Sequence, residues 1–335
     1  MLFRSFRHLH VSKIGKDIDH AAELLKSGQL IGIPTETVYG LAAHAFSEPA
    51  LINVFKAKNR PYFDPLIVHV SSLERLHDIA EITDERLKAL AQHFWPGPLT
   101  LLLPKKKNIP DLITSGLPRV GVRIPNHPMV LELLNKIDFP VAAPSANPFG
   151  YISPTEAAHV VSQLHDNVPY VLDGGPCNVG LESSIVGIEN HALTLYRAGG
   201  ISIEAIRQVA GSLSVKLNRS DNPLTPGQLK SHYAPKTRLI AGPLSELIPK
   251  FKSYRTAVLY TGQSAPDAFF VFNLSPHQQT DEMARNFFKG LRAADASGAE
   301  VILIDYAPPS GLGIAINDRI QRATATFDGG TRARS

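Results

Sequence analysis

A single cysteine, Cys177, stands in a chain of 335 residues. One thiol cannot close an internal disulfide or build a thiolate zinc cage, and such scarcity fits a reducing compartment. Long apolar runs are missing too: no stretch reaches the ~18 residues of a spanning helix, and no short one has signal-peptide flanks. The N-terminal MLFRSFRHLH is basic and acid-free like an organelle presequence, yet it runs almost directly into folded-looking sequence. The cytoplasm is the expected location, with no membrane partner. The phosphate loop G-x-x-x-x-G-K-[ST], the G-x-G-x-x-G fingerprint, H-E-x-x-H and the G-x-S-x-G elbow are also absent. A bound nucleotide would then be held by Lys58, Arg60, Arg123, Arg197, serines and loop amides, and no protein-built metal site is expected.

What is present suits a globular enzyme. With 44% hydrophobic residues the chain can bury a full core, and its length suggests two domains. A net charge of +4 fits an anionic small molecule or passing contact with nucleic acid, but not an extended nucleic-acid footprint. Two polar triplets stand out. Lys58-Asn59-Arg60 precedes the alternating run Leu66 to Val70, and Ser145-Ala146-Asn147 follows the apolar Val141-Ala142-Ala143. Cations and Ser/Asn donors on strand-edge loops suit a polyanion. Taken singly, each reads equally well as a solvated helix end or a turn.

Hydrophobic spacing predicts alternating helices and strands over the first two hundred residues: helices at Asp17 to Lys26, Glu48 to Lys58, Asp84 to Phe94 and Met129 to Lys136, and strands at Leu30 to Ile33, Pro65 to Val70, Leu99 to Pro104, Val120 to Ile124, Val168 to Leu172 and Ser184 to Ile188. Leu213 to Lys230 is rich in Ser, Asn, Pro and Gly and reads as a linker. Beyond it, Arg238 to Ala241, Ala257 to Tyr260, Phe269 to Phe272 and Val301 to Ile304 read as strands, with helices at Met283 to Ala296 and Ile314 to Ala323. A smaller α/β domain with a parallel, nucleotide-fold-like sheet is the expectation. The division expected is 1–211, a linker or lid over 212–236, and 237–335.

The ordered strings IPTETVYGLAAHAF, VFKAKNRP, PLIVHV, WPGPLTLLL, VGVRIPNHP, APSANPFGYISPT, DGGPCNVGLESSIV and LYRAGGIS closely resemble the YrdC-type domain of threonylcarbamoyl-AMP synthases. TPGQLKSHYAPKT and GLGIAINDRIQRA resemble the linker and C-terminal domain of that family's longer, two-domain form. The resemblance implies a YrdC-like mixed, twisted α/β sheet with flanking helices, plus a Rossmann-like α/β C-terminal domain. It implies an activity joining L-threonine, bicarbonate and ATP into threonylcarbamoyl-AMP with release of pyrophosphate, for adenosine 37 of tRNA. Mg²⁺ would come with ATP. The product would pass to the tRNA threonylcarbamoyl transferase complex, with at most weak tRNA contact.

Carried over position by position, the resemblance makes Lys58 and Arg60 the catalytic phosphate holders. Thr37, His69, Arg123 and Ser183 would line the threonine pocket. Asp64, Arg119, Ser145, Asn147, Ser153, Arg197, His232 and Tyr233 would approach ATP, the last two as a lid. Asp64 departs from the family's usual asparagine. Other roles compete: a core position for His69, turn caps for Thr35 and Thr37, a structural Glu36, a surface ion pair for Arg197. Two other classes stay open, a double-stranded RNA or ribosome-binding module and a carbamoyl-transfer domain of the hydrogenase-maturation kind. The second normally travels with zinc-finger segments that one cysteine cannot supply.

Overall fold

The computed structural model describes residues 13–217, 225–227 and 232–325. The stretch MLFRSFRHLH and the linker positions 218–224 and 228–231 lie outside the described residues.

Local chemistry accounts for the helix ends that matter. Helix Ile18–Lys26 starts at Asp17, whose carboxylate accepts from the His20 N–H, and it buries Ala21, Ala22 and Leu25. Helix Glu48–Lys58 starts at a Ser47 cap and stops at Asn59, which adopts the left-handed conformation at φ 51°. The Arg60 N–H then closes back on the Phe55 carbonyl at 2.9 Å, a left-handed helix stop that fixes where Arg60 leaves the helix.

Eleven strands form one mixed sheet, in the order Lys13–Gly15, Tyr170–Leu172, Ile31–Ile33, Gly40–His44, Val141–Ala142, Ile67–His69, Arg119–Arg123, Leu99–Pro104, Ser184–Glu189, Ala192–Arg197 and Ser214–Val215. Helices Ile18–Lys26 and Pro128–Asn135 cover one apolar cluster, built on Ile31, Ile33, Val141 and Leu172. Strands Ile67–His69 and Arg119–Arg123 run parallel in a register that pairs His69 with Arg123. An imidazole and a guanidinium therefore end their strands side by side.

The second domain is a four-stranded sheet in the order Arg238–Ala241, Val301–Ile304, Thr256–Thr261 and Phe270–Ser275, every pairing parallel. Helices Thr280–Ala296 and Gly313–Thr324 accompany it. The linker reading needs shortening at its start, since Leu213 is buried and Ser214–Val215 pairs in parallel with Ala192–Arg197. Among the described residues, no helix is long and apolar enough to cross a membrane.

The two sheets share a core. A single apolar cluster runs from Leu66 and Val68 through Tyr233 to Phe287 and Phe288 of helix Thr280–Ala296. At the junction Gly180 has φ +78°, and a Cβ there would meet the Ala284 carbonyl oxygen at 2.5 Å. Gly180→Ala should therefore lower the unfolding free energy by about 1–3 kcal/mol, read as a lower denaturation midpoint; an unchanged midpoint would mean that the domains are not pressed together here.

Candidate active site

One cavity of about 50 Å³ collects residues from distant parts of the chain: polar Thr37, Arg60, His69, Arg123, Ser145, Glu182, Ser183, Arg197, His232 and Tyr233, with Pro226 and Gly227, are in its wall. The cations here are buried: Arg60 is 7% exposed, Arg123 4% and Arg197 5%. Each is only partly satisfied by the protein. Arg60 donates from Nε to the Asp64 carbonyl at 3.1 Å and from Nη2 to the Pro65 carbonyl at 2.7 Å, and its Nη2 lies 2.8 Å from the Asp64 carboxylate. These contacts leave Nη1 for a ligand.

Arg123 is held on three sides. Nε donates to the Gly97 carbonyl at 3.1 Å, Nη1 to Thr37 Oγ1 at 2.8 Å, and Nη2 sits 2.6 Å from Glu36 Oε1. A guanidinium has five N–H groups, and these three contacts fix the plane of the fork, with Nη2 itself buried against Glu36. Arg197 joins the back wall to the linker: Nε and Nη2 donate to the Ser183 carbonyl and Oγ, each at 3.0 Å, and Nη1 to the Pro226 carbonyl at 3.2 Å. Burial lowers the pKa of Arg197 to about 10, which leaves it charged near neutrality.

His69 faces the same space with Nδ1 buried and lacking a hydrogen-bond partner in the protein. Burial first, then the Arg123 charge, pushes its pKa down to about 3, so the ring is neutral near pH 7.

Residues 23–199 match the family model described as telomere recombination, and residues 201–325 match that of the threonylcarbamoyl-AMP synthase C-terminal domain. The chain belongs to the threonylcarbamoyl-AMP synthase family. The threonylcarbamoyl-AMP synthase of Pyrococcus abyssi is 40% identical, with 91% of this chain and 93% of that protein aligned. That of Bacillus subtilis is 36% identical, with 91% and 92% aligned. The crystal structure of P. abyssi Sua5 complexed with L-threonine superposes with a TM-score of 0.87 at 38% identity, covering 94% of this chain and 97% of that one.

Against this family background, the remaining expected residues fall behind the wall. Lys58, 1% exposed, turns its ammonium onto the Ser145 and Asn147 carbonyls. It clamps one triplet to the other and makes no direct approach to the cavity. Burial, followed by the Arg60 charge, lowers its pKa well below the usual lysine value. Asp64 is the counter-ion of Arg60, fully buried. Asn147 donates to the Pro148 and Tyr151 carbonyls, both at 2.9 Å, and holds the turn after Ser145. Ser153 donates to Glu182 Oε1 at 2.6 Å. Arg119 is farther off, donating from Nη1 to the Ile188 carbonyl and to Tyr196 Oη, each at 3.0 Å, and stacking over the Tyr196 ring at 5.3 Å.

Three wall or support residues escaped the sequence reading: Glu182, Thr100 and Arg319. Thr100 shares a 2.7 Å hydrogen bond with Ser183 Oγ. Arg319 falls on the buried stripe Ala315, Ile316, Arg319, Ile320 of its helix, where an arginine among apolar neighbours is the signal that could have exposed it. A larger cleft of about 630 Å³ lies at the domain junction, but there Arg292 donates to Gln163 and the Ile152 and Ser153 carbonyls, and Lys289 pairs with Glu156.

The neutral histidines have a consequence for stability. His69 and His159 have folded pKa values of about 3 and about 4, below their ordinary 6.5. Between pH 6.5 and those values the unfolded chain binds protons that the folded chain refuses, so stability falls as pH falls. The denaturation midpoint should drop from pH 7 to pH 5, and His69→Gln should flatten that slope by up to ~1.4 kcal/mol per pH unit. An identical slope in the variant would contradict the burial of a neutral ring.

Proposed function

We propose that this chain is an L-threonylcarbamoyladenylate synthase, condensing L-threonine, bicarbonate and ATP into threonylcarbamoyl-AMP and pyrophosphate. The observation that carries the reading is the cavity walled by partly paired, buried arginines beside the hydroxyls of Thr37, Ser145 and Ser183. All three substrates bring negative charge: a triphosphate, a carboxylate and bicarbonate. The threonine amine attacks the bicarbonate carbon and water leaves, giving a carbamate, whose oxygen then attacks the α-phosphorus as the bond to pyrophosphate breaks. The obstacle is repulsion between anions and loss of freedom, which fixed cations and donors address without a covalent nucleophile.

Arg60, through its unengaged Nη1, and Arg197 hold the phosphates, with Ser145 as a further donor. Arg123 receives the threonine carboxylate on the Nη1 side of its fork, and the neutral His69 ring lies beside it in the wall. Lys58 and Asn147 act one step back, fixing the Ser145 loop. Cys177 takes no part; burial raises its thiol pKa far above neutrality. Among the described residues, no three His, Cys, Asp or Glu side chains gather to hold a metal ion. The nearby carboxylates of Glu36, Asp64 and Glu182 are committed to Arg123, Arg60 and Arg319. The Mg²⁺ of this proposal is the ion that ATP carries as substrate. The product goes to a transferase acting on tRNA, in the cytoplasm.

Burial of these cations speaks against an RNA-binding surface, because duplex phosphates reach only exposed charge. Pyrophosphate release should require ATP, threonine and bicarbonate together; release without threonine, or none, would defeat the proposal. Arg60→Ala should cost at least about a hundredfold in turnover, as expected when a transition-state charge partner is lost, while Lys106→Ala on the surface should leave turnover unchanged. Equal losses in both variants would point to diffuse electrostatics instead.

A further inference from the structure

The cleft at the domain junction has a volume of about 630 Å³, within the roughly 300–1,000 Å³ typical of small-molecule pockets. Phe149 and Tyr151 of the first domain, Lys236 after the linker, and Lys289 and Arg292 of helix Thr280–Ala296 line it. Among the described residues, no carboxylate stands in that wall. Arg292 is anchored with part of its fork left open. Nε donates to the Ser153 carbonyl at 3.2 Å, and Nη2 to Gln163 Oε1 at 2.8 Å and to the Ile152 carbonyl, while Nη1 meets no acceptor among the described residues. Lys236 is exposed and has no ion-pair partner among them. Lys289 pairs with Glu156 at 2.9 Å, but both side chains are partly exposed, and a surface pair of this kind is weak enough for a phosphate to displace. Beside these cations Phe149 and Tyr151 are only half-buried, and Arg292 lies over the Tyr151 ring at 5.5 Å.

One turn separates the cleft from the catalytic cavity. Ser145 stands in the cavity wall, and Pro148 to Tyr151 stand in the cleft wall. The turn is pinned along its length: the Lys58 ammonium holds the Ser145 and Asn147 carbonyls, the Phe149 N–H donates to the Lys58 carbonyl at 2.7 Å, and the Gly150 carbonyl accepts from the Ala234 N–H at 2.9 Å. The two volumes have no lining residue in common. An occupant of the cleft is therefore a second ligand and not an extension of the first.

We propose that the junction cleft is a second binding site, for a free nucleotide whose phosphates meet Lys236, Lys289 and Arg292 while its base lies against Phe149 and Tyr151. Three cations with no carboxylate among them favour phosphate, and the rings favour a flat base over phosphate alone. An RNA strand has the same chemistry. The charge favours the single nucleotide, because three cations in one cleft and a net +4 over the whole chain lay no track for a run of phosphates. The site stands apart from the synthase activity, since its occupant binds whether or not threonine is activated next door.

Equilibrium dialysis of the full chain with ADP tests this, with the double variant Lys236→Ala/Lys289→Ala as the comparison; neither lysine lines the catalytic cavity. The unaltered protein should hold one ADP that the double variant binds at least about tenfold more weakly, the loss expected when two phosphate partners go. That is read as two ADP per chain falling to one, or as one falling to none where the catalytic cavity takes no ADP. An ADP count and affinity unchanged in the double variant would overturn the proposal. Inorganic pyrophosphate supplies phosphates without a base, so the binding component lost in the variant should prefer ADP by about tenfold. Equal affinity for the two would make the cleft a phosphate site and overturn the nucleotide assignment. A single-stranded oligouridylate binding that same component more tightly than ADP would overturn it in favour of RNA.

Discussion

Taking a guanidinium out of water costs several kcal/mol unless its donors are met, and this fold does so at Arg60, Arg123, Arg197 and Arg319. The rest of the site follows from how that cost is divided. Arg319 is met fully by its own chain, with two bonds to one carboxylate oxygen and a carbonyl for Nη1. Arg60 and Arg123 each have a buried carboxylate counter-ion, Asp64 and Glu36, and are held by carbonyl and hydroxyl acceptors besides, which keeps N–H groups of both in the cavity wall. Substrate anions complete what the protein leaves unfinished, in a wall dry enough for the interaction to count.

The sheet makes this division possible. Pairing His69 with Arg123 sets a neutral acceptor beside a cation, and the Glu48–Lys58 helix stop aims Arg60 at the same space. The two polar triplets meet through Lys58, whose ammonium spans the Ser145 and Asn147 carbonyls. Their partnership is real but indirect: one member fastens the loop that another member uses. Linker residues Pro226, Gly227, His232 and Tyr233 complete the cavity wall, and the His232 N–H donates to the Arg322 carbonyl of the second domain's helix, so the wall touches both domains.

Much of this was legible in the sequence. Glu48–Lys58, Leu99–Pro104, Arg238–Ala241 and Val301–Ile304 have the bounds their apolar patterns predicted: a serine cap, prolines or Gly-Pro mark ends of the first three, and charged Glu300 and Asp305 bracket the fourth. Strand Gly40–His44 was missed: GLAAH has no β-branched residue and lies buried almost throughout, so it has neither propensity nor alternation to betray it. Ser214–Val215 was hidden in a polar stretch and exists only through its pairing with Ala192–Arg197. In the site, motif position located the wall residues, but it could not separate a side chain in the wall from one behind it. Lys58, Asp64 and Asn147 are behind it because backbone carbonyls and a neighbouring arginine claim them first, and such tertiary claims leave no periodic trace.

The central claim is that the partly paired arginines of this cavity form the phosphate and carboxylate site. A crystal structure with a non-hydrolysable ATP analogue and L-threonine tests it most directly. The account predicts phosphate oxygens within hydrogen-bond distance of Arg60 and Arg197, the threonine carboxylate on Arg123, and Tyr233 closed over both. A nucleotide seated instead in the junction cleft beside Lys289 and Arg292, with the arginine cavity empty, would contradict it.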